Sequence, residues 1–274
     1  MLFRSQNTFV LFTFIKFMNK NVLLFGCGYL GFPLAKELKS QGYFVQVATH
    51  SPEKMISFEK AGLNPFLITL DFENFSVDII KEKSKTADYA ILMLPPTSFE
   101  NYALTIQTIT DCFKENTQVV FTSSISVYED TSAIVDENSP CKENHVIILA
   151  EKYLGRKKSV NTTILRLAGL IGAGRHPVSA LIKKEIIANG LAPVNLVHQL
   201  DVISVIKLVL RKNIHNEVFN ICYPEHPTRK DFYERAAEKL FSKHIQFVSE
   251  GNGKFVNGQK IVKFCGFTYK NTIY

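Results

Sequence analysis

Three observations predict an α/β fold, a doubly wound parallel sheet followed by a smaller C-terminal region. Short apolar runs alternate with stretches of helical period from Asn21 to Leu167. The first run ends in a glycine-rich turn that leads into a helical stretch. After Gly169 the rhythm changes, glycine and proline become frequent, and the connections lengthen. Strands alternating with helices, joined by right-handed crossovers, give parallel strands with helices on both faces.

Asn21–Phe25 (NVLLF) is apolar without alternation, which fits a strand covered on both faces. Leu30, Leu34 and Leu38 then recur at helical spacing. Pro33 suits a first helical turn, and Gly42 suits the stop. Tyr43–Ala48, Leu63–Leu70 and Tyr89–Leu94 supply the second, third and fourth strands. Tyr102, Ile106, Ile109 and Phe113 share one helix face, and Gln118–Phe121 is the fifth strand. Val146, Ala150, Tyr153 and Leu154 mark another helix face before a sixth strand at Thr163–Leu167. Beyond it, helices are expected near Val178–Ala188, Val202–Arg211 and Lys230–Phe241, with a short strand at Val218–Ile221 returning to the sheet. The domain reading is an extension over residues 1–19, a dinucleotide-binding domain over 20–168 and a substrate-binding region over 169–274. Within the extension, Phe9–Phe17 is apolar but short, is interrupted by Lys16, and precedes no small-residue cleavage site. Met18, an alternative start, directly precedes the first strand.

The 274 residues are 46% hydrophobic, enough to bury a sizeable core, which argues against disorder. The formal charge is +7, and much of the excess lies after Thr228. Those cations are scattered, so a small anionic partner is favoured over nucleic acid. Cys27, Cys112, Cys141, Cys222 and Cys265 form no CxxC pair and no metal-ligand spacing. Reduced thiols, no metal and a cytoplasmic location are therefore expected. No segment is long enough to span a membrane, and no membrane partner is expected.

The strongest motif is Gly26-Cys27-Gly28-Tyr29-Leu30-Gly31, a GxGxxG between a strand and a helix. Gly26 permits the tight turn, Gly28 lets the backbone approach a pyrophosphate, and Gly31 lets the helix pack on the sheet. Cys27, Tyr29 and Leu30 complete the cofactor-facing turn, and the helix N-terminus offers N–H groups to the phosphates. This is the signature of a Rossmann dinucleotide site. An NAD-selective site carries a carboxylate about 20 residues further on. Here the second strand ends in Ala48-Thr49-His50-Ser51-Pro52-Glu53-Lys54. Thr49, His50, Ser51 and Lys54 suit a 2′-phosphate, so NADP(H) is preferred and NAD(H) remains open.

Thr122-Ser123-Ser124-Ile125-Ser126-Val127-Tyr128-Glu129-Asp130 closely resembles the SSxSVYGD stretch of extended short-chain dehydrogenases, the NAD-dependent epimerase/dehydratase family, with Glu129 in place of glycine. Glu137 and Pro140 resemble its ExxP loop. Leu165–Arg175 resembles its LRxxxxYGPG segment, Asn195–Val202 its vHvdDva segment, and Phe219-Asn220-Ile221 its yNv strand. The resemblance runs from about Asn21 to near the C-terminus. It implies an NAD(P)-binding domain and a C-terminal substrate region. It places Asp71 near the adenine, Leu94 and Pro95 along the cofactor, and Ser124 at the reacting carbonyl or hydroxyl. Ser124 also ends a central strand, where a doubly wound sheet binds ligands. Structural roles are favoured for Ser126 and Tyr128, and an N-cap role for Asp201. The resemblance allows a homodimer formed through two helices.

The family's acid/base pair is a Tyr and a Lys four residues apart. Tyr153 and Lys157 have that spacing, but the register of Ala150-Glu151 puts Glu143 at the Tyr position and Ile147 at the Lys position. Tyr153 reads better as a core tyrosine. An active oxidoreductase or epimerase would then draw its proton donor from Glu143, Tyr128, His176 or His198, with Ser124 polarising the substrate. Arg175, beside His176, suits an anionic substrate such as a nucleotide sugar, with His198 near it. The alternative is a catalytically silent NADP(H)-binding sensor.

Overall fold

The computed structural model describes residues 20–274. The apolar extension at Phe9–Phe17 lies outside them. The central strands are β1 (Asn21–Phe25), β2 (Phe44–Thr49), β3 (Asn64–Leu67), β4 (Tyr89–Leu92), β5 (Gln118–Ser124), β6 (Asn161–Leu167) and β7 (Glu217–Ile221). They form one seven-stranded sheet in the order β7-β6-β5-β4-β1-β2-β3. β3, β2, β1, β4 and β5 pair in parallel. The order reverses direction at β1, whose neighbours are β2 and β4, and this is the topological switch point of a doubly wound sheet.

The reason β1 forms a central strand is visible in its burial. Val22, Leu23, Leu24 and Phe25 are all fully buried, so both faces of the strand are covered. Each such side chain contributes about 2 kcal/mol of hydrophobic stabilisation. The helices are α1 (Gly31–Ser40), α2 (Pro52–Lys60), α3 (Val77–Ser84), α4 (Tyr102–Asp111), α5 (Val146–Arg156), α6 (Gln199–Lys212), α7 (Arg229–Phe241) and α8 (Gln259–Cys265). α1 buries Leu34, Ala35 and Leu38 and stops before Gly42, whose φ is +87°. α4 buries Tyr102, Ile106 and Ile109, the face expected from their spacing.

The chain divides into two compact units, each discontinuous. The first comprises residues up to Thr122, Leu149–Ile164 and Lys207–Glu217. The second comprises Ser123–Ile148, Leu165–Ile206 and Val218–Tyr274. In the first unit, buried Gln118 donates from Nε2 to the carbonyl of Ile214 at 2.7 Å, and the Thr163 hydroxyl donates to the same carbonyl at 2.7 Å. Lys207 pairs with Glu37. These bonds bring the end of α6 into that unit.

The second unit has its own core of Ile171, Val178, Ile187, Val194, Leu196, Phe232, Tyr233, Ala237, Ile245 and Ile273. The helix expected over Val178–Ala188 is confined to Val178–Leu181, and Ile186–Ile187 instead forms a parallel strand pair with Gln246–Phe247. Val178, Leu181, Ile182 and Ile186 recur at helical spacing, but Ile186 and Ile187 are adjacent β-branched residues that pair across a ladder.

Asp201 does not cap α6. It lies within the first turn, 1% exposed, and its carboxylate accepts the backbone N–H groups of Lys270 and Asn271 at 3.1 Å each and the Asn271 amide at 2.8 Å. It therefore anchors the C-terminal segment. Asp201→Ala is expected to lower stability by about 1–3 kcal/mol. It should also speed amide hydrogen exchange in residues 266–274 before the rest of the chain. Unchanged exchange there would remove the anchoring role.

Candidate functional site

In the first unit, the glycine turn lies at the switch point. Gly26 has φ +95°, and a Cβ there would meet the Met93 carbonyl oxygen at 2.4 Å. A Cβ on Gly31 would meet the Gly26 carbonyl oxygen at 2.3 Å. Both glycines are thus required by the fold, one for the turn and one for the approach of α1. Gly28 is different. Among the described residues, a Cβ there would meet nothing within 4 Å, and its φ lies outside the left-handed range. No described neighbour requires a glycine at Gly28, so the open space over its backbone fits the close approach of a pyrophosphate to the N-terminus of α1.

The end of β2 lies in the same unit. Thr49 is buried and accepts the Ser51 N–H at 3.2 Å. Ser51 caps α2, accepting the Lys54 N–H at 3.3 Å and donating to the Glu53 carboxylate at 2.6 Å, with Pro52 at the first helical position. The Ser51 hydroxyl, which the sequence offered to a 2′-phosphate, is therefore occupied by the cap. His50 and Lys54 are exposed. Burial pushes the Cys27 thiol up to about 12, and the charge of Lys54 opposes that shift, which places the ammonium within electrostatic reach of the turn. Cys27 is therefore a neutral thiol at pH 7, not a nucleophile.

Leu94 follows β4 and accepts the Tyr102 hydroxyl on its carbonyl at 3.1 Å, and Pro95 beside it is exposed. Asp71 precedes a 3₁₀ turn over Phe72–Asn74 and is exposed.

Tyr153 and Lys157 also fall in this unit. Both donate to Asp111 at the end of α4, and Lys157 donates to the Tyr153 hydroxyl at 3.1 Å. Tyr153 is half-buried, so it is a hydrogen-bonded surface residue instead of the core tyrosine its spacing suggested. Burial and the Asp111 carboxylate both raise its pKa. A proton-transfer tyrosine needs the opposite shift. It stands about 10 Å along α5 from the helix start. The expected apolar face of α5 is also redrawn: Ile147, Ile148, Ala150 and Leu154 are buried, whereas Val146 and Leu149 are exposed.

In the second unit, Ser124 ends β5, half-buried, and its hydroxyl accepts the Ser126 N–H at 3.1 Å. Tyr128 is fully buried. Its hydroxyl donates to Asn220 Oδ1 at 2.6 Å and accepts from Arg166 at 3.0 Å, and the guanidinium lies 4.9 Å from its ring centre. Glu137 accepts the Asn220 N–H on its carboxylate at 2.7 Å, and its backbone carbonyl accepts from the same Arg166 nitrogen, Nη1, at 3.3 Å. Burial pushes the Tyr128 phenol up to about 12. This network fills the core with satisfied polar groups and leaves Tyr128 no access to a ligand. Glu143 is exposed in the turn before α5, and Ile147, at the expected Lys position, is 4% exposed.

The histidines show a pattern that the sequence reading missed. His176 Nδ1 accepts the Val178 N–H at 3.2 Å, and His198 Nδ1 accepts the Leu200 N–H at 3.2 Å. His145 Nδ1 accepts the Ile147 N–H at 3.3 Å. In each case the imidazole accepts the backbone N–H two residues on, at the start of a helix. The signal was present as His-x-apolar at the head of each helical stretch. His176 also stacks on Phe232, 5.5 Å between ring centres, and burial lowers its pKa. Arg175 is exposed in a turn closed by two bonds with Gly172, at 3.0 and 3.1 Å, with Gly174 at φ +72°.

Among the described residues, no helix is long and apolar enough to cross a membrane, and no group of three or more His, Cys, Asp or Glu side chains could hold a metal.

Comparison with known proteins agrees with this architecture. The chain is 31% identical over 264 residues to Protein YeeZ of Escherichia coli K12, covering 92% of this chain and 96% of that one. A functionally unknown conserved protein from Silicibacter pomeroyi superposes with a TM-score of 0.73 at 23% identity, over 92% of this chain and 94% of the other. UDP-glucuronic acid 4-epimerase from Bacillus cereus, solved with NAD, superposes with a TM-score of 0.71 at 19% identity, over 92% of each chain. The NAD dependent epimerase/dehydratase family matches residues 22–222, and with those motifs in order along a sheet of this topology the chain belongs to that family.

Proposed function

We propose that the chain is a cytoplasmic NADP(H)-dependent oxidoreductase or epimerase acting on a small carbonyl or nucleotide-sugar-like substrate. The observation that carries the proposal is Gly28: a glycine at the head of α1 with open space over its backbone and, among the described residues, no neighbour that requires a glycine. Gly26–Gly31 would hold the pyrophosphate, Asp71 would lie by the adenine, and Leu94 and Pro95 would lie along the cofactor. The bound nucleotide would supply hydride transfer, and the protein's part is to position it. Lys54, close enough to act on Cys27, supports a 2′-phosphate there together with His50. Ser124 would polarise the substrate oxygen, while Arg175 and the Nε2 sides of His176 and His198 would meet the rest of the substrate. The division into a nucleotide domain over 20–168 and a substrate region over 169–274, and a homodimeric state, belong to the same reading.

Titration with NADPH and NADH, followed by nucleotide fluorescence, tests the cofactor. Lys54→Ala is expected to weaken NADPH about 10-fold, roughly 1.4 kcal/mol, with little change for NADH. Equal losses for both nucleotides would place Lys54 away from the 2′-phosphate. A silent sensor would bind NADPH in the same way but would turn over no substrate. The tie between Tyr153, Lys157 and Asp111 is a feature that favours it. A working enzyme must then keep its donor elsewhere.

A further inference from the structure

We infer that Asn252 is a site of spontaneous covalent modification, where the Gly253 nitrogen attacks the side-chain amide and converts it to aspartate and isoaspartate. The inference does not depend on the cofactor reading.

The step balances with water alone. The Gly253 nitrogen loses its proton to hydroxide and bonds to the Asn252 side-chain carbonyl carbon. The carbon–nitrogen bond of the amide breaks, and ammonia leaves with a proton taken from water. Water then opens the resulting succinimide ring at either carbonyl, which leaves aspartate or isoaspartate. Three conditions favour this. The next residue must leave room, which glycine does because it has no Cβ. Its N–H must not be committed to an acceptor, and the asparagine amide must be able to turn toward it.

The sequence holds three Asn-Gly pairs, at 189–190, 252–253 and 257–258. All three asparagines are exposed, so exposure does not separate them. The fold closes two of the pairs. Gly190 is buried and donates its N–H to the Val248 carbonyl at 3.0 Å. A Cβ on it would meet that carbonyl oxygen at 2.5 Å. At the third pair, Asn257 Oδ1 accepts the Gln259 N–H at 2.9 Å, at the start of α8. The amide must give up this local bond before it can turn toward Gly258. Gly258 is itself buried, and a Cβ there would meet the Cys222 carbonyl oxygen at 2.4 Å.

Asn252 meets neither restraint. Residues 251–254 form no helix or strand. They are tied on each side, by the Leu191 N–H to the Glu250 carbonyl at 3.0 Å and by Asn195 Nδ2 to the Lys254 carbonyl at 2.8 Å. Between these ties, neither the Asn252 amide nor the Gly253 N–H has a hydrogen-bond partner among the described residues. The nearest atom to a Cβ on Gly253 would be Pro193 Cδ, at 3.4 Å. The product would set a carboxylate beside Lys254, whose ammonium donates to the carbonyls of Tyr128 at 2.9 Å and Glu129 at 3.2 Å. Isoaspartate would also lengthen the main chain between the two ties.

The test is to hold the folded protein at mildly alkaline pH and follow its peptides by mass spectrometry. Conversion at Asn252 is expected to run at least about 10-fold faster than at Asn189 or Asn257. In urea the three rates are expected to converge, because each asparagine precedes a glycine. Gly253→Ala is expected to slow conversion at Asn252 about 10-fold, with the melting temperature unchanged. Equal rates at the three sites in the folded protein overturn the inference. So does an Asn252 that stays intact until the protein is unfolded, and so does a preference for Asn252 that persists in urea, which would trace it to local sequence.

Discussion

Gly28→Val is expected to weaken NADPH binding at least 100-fold, about 2.7 kcal/mol, while the melting temperature changes by no more than about 2 °C. The two halves of this expectation come from the same fact. The first side-chain carbon would meet no atom of the described residues within 4 Å, so the turn itself accepts a side chain at this position. The branched side chain then occupies the space over the turn that a pyrophosphate would need. Gly26→Ala is the contrasting control. Its Cβ would lie 2.4 Å from the Met93 carbonyl oxygen at a backbone φ of +95°, so it should destabilise the protein itself. Fluorescence titration and thermal melts of the two variants check both statements. Undiminished NADPH binding by folded Gly28→Val would remove the dinucleotide from this turn.

Tyr128→Phe is expected to cost about 1–3 kcal/mol of stability and to leave turnover per folded molecule unchanged. The hydroxyl satisfies two buried partners at once, Asn220 Oδ1 at 2.6 Å and Arg166 at 3.0 Å. Removing it leaves a buried acceptor and a cationic donor each short of a bond. Denaturant unfolding measures the first effect, and kcat under conditions where both proteins are folded measures the second. A folded Tyr128→Phe variant that lost activity 100-fold would make Tyr128 a proton donor after all.

The sheet was legible because both-face burial leaves a simple trace. Val22–Phe25 and Ala90–Leu92 are uninterrupted apolar runs, and their parallel pairing follows from the helices between them. Gly26 and Gly31 were legible because their requirement is local, a turn and a close approach. The roles of Tyr153 and Asp201 were hidden because their partners are remote in sequence. Asp111 is 42 residues from Tyr153, and Lys270 is 69 from Asp201. No periodicity reports such pairs. Ser51 shows another limit: a hydroxyl suited to phosphate is equally suited to capping, and Pro52 after it should have favoured the cap. His145 was passed over because a half-exposed histidine before a helix has no spacing partner. Its place at the head of α5 comes from the backbone N–H of Ile147, which its Nδ1 accepts.

The position of β7 has a consequence for synthesis. This strand closes one edge of the sheet beside β6, yet its residues, Glu217–Ile221, are made about fifty positions after β6 ends. While the intervening chain is being made, the nascent protein carries an unpaired β6 edge, a surface on which another chain can template itself. At about 5–20 residues per second, that exposure lasts several seconds on the ribosome. A stop codon between the two strands would make the exposure permanent, and the truncated product would be one for chaperones or proteases to remove.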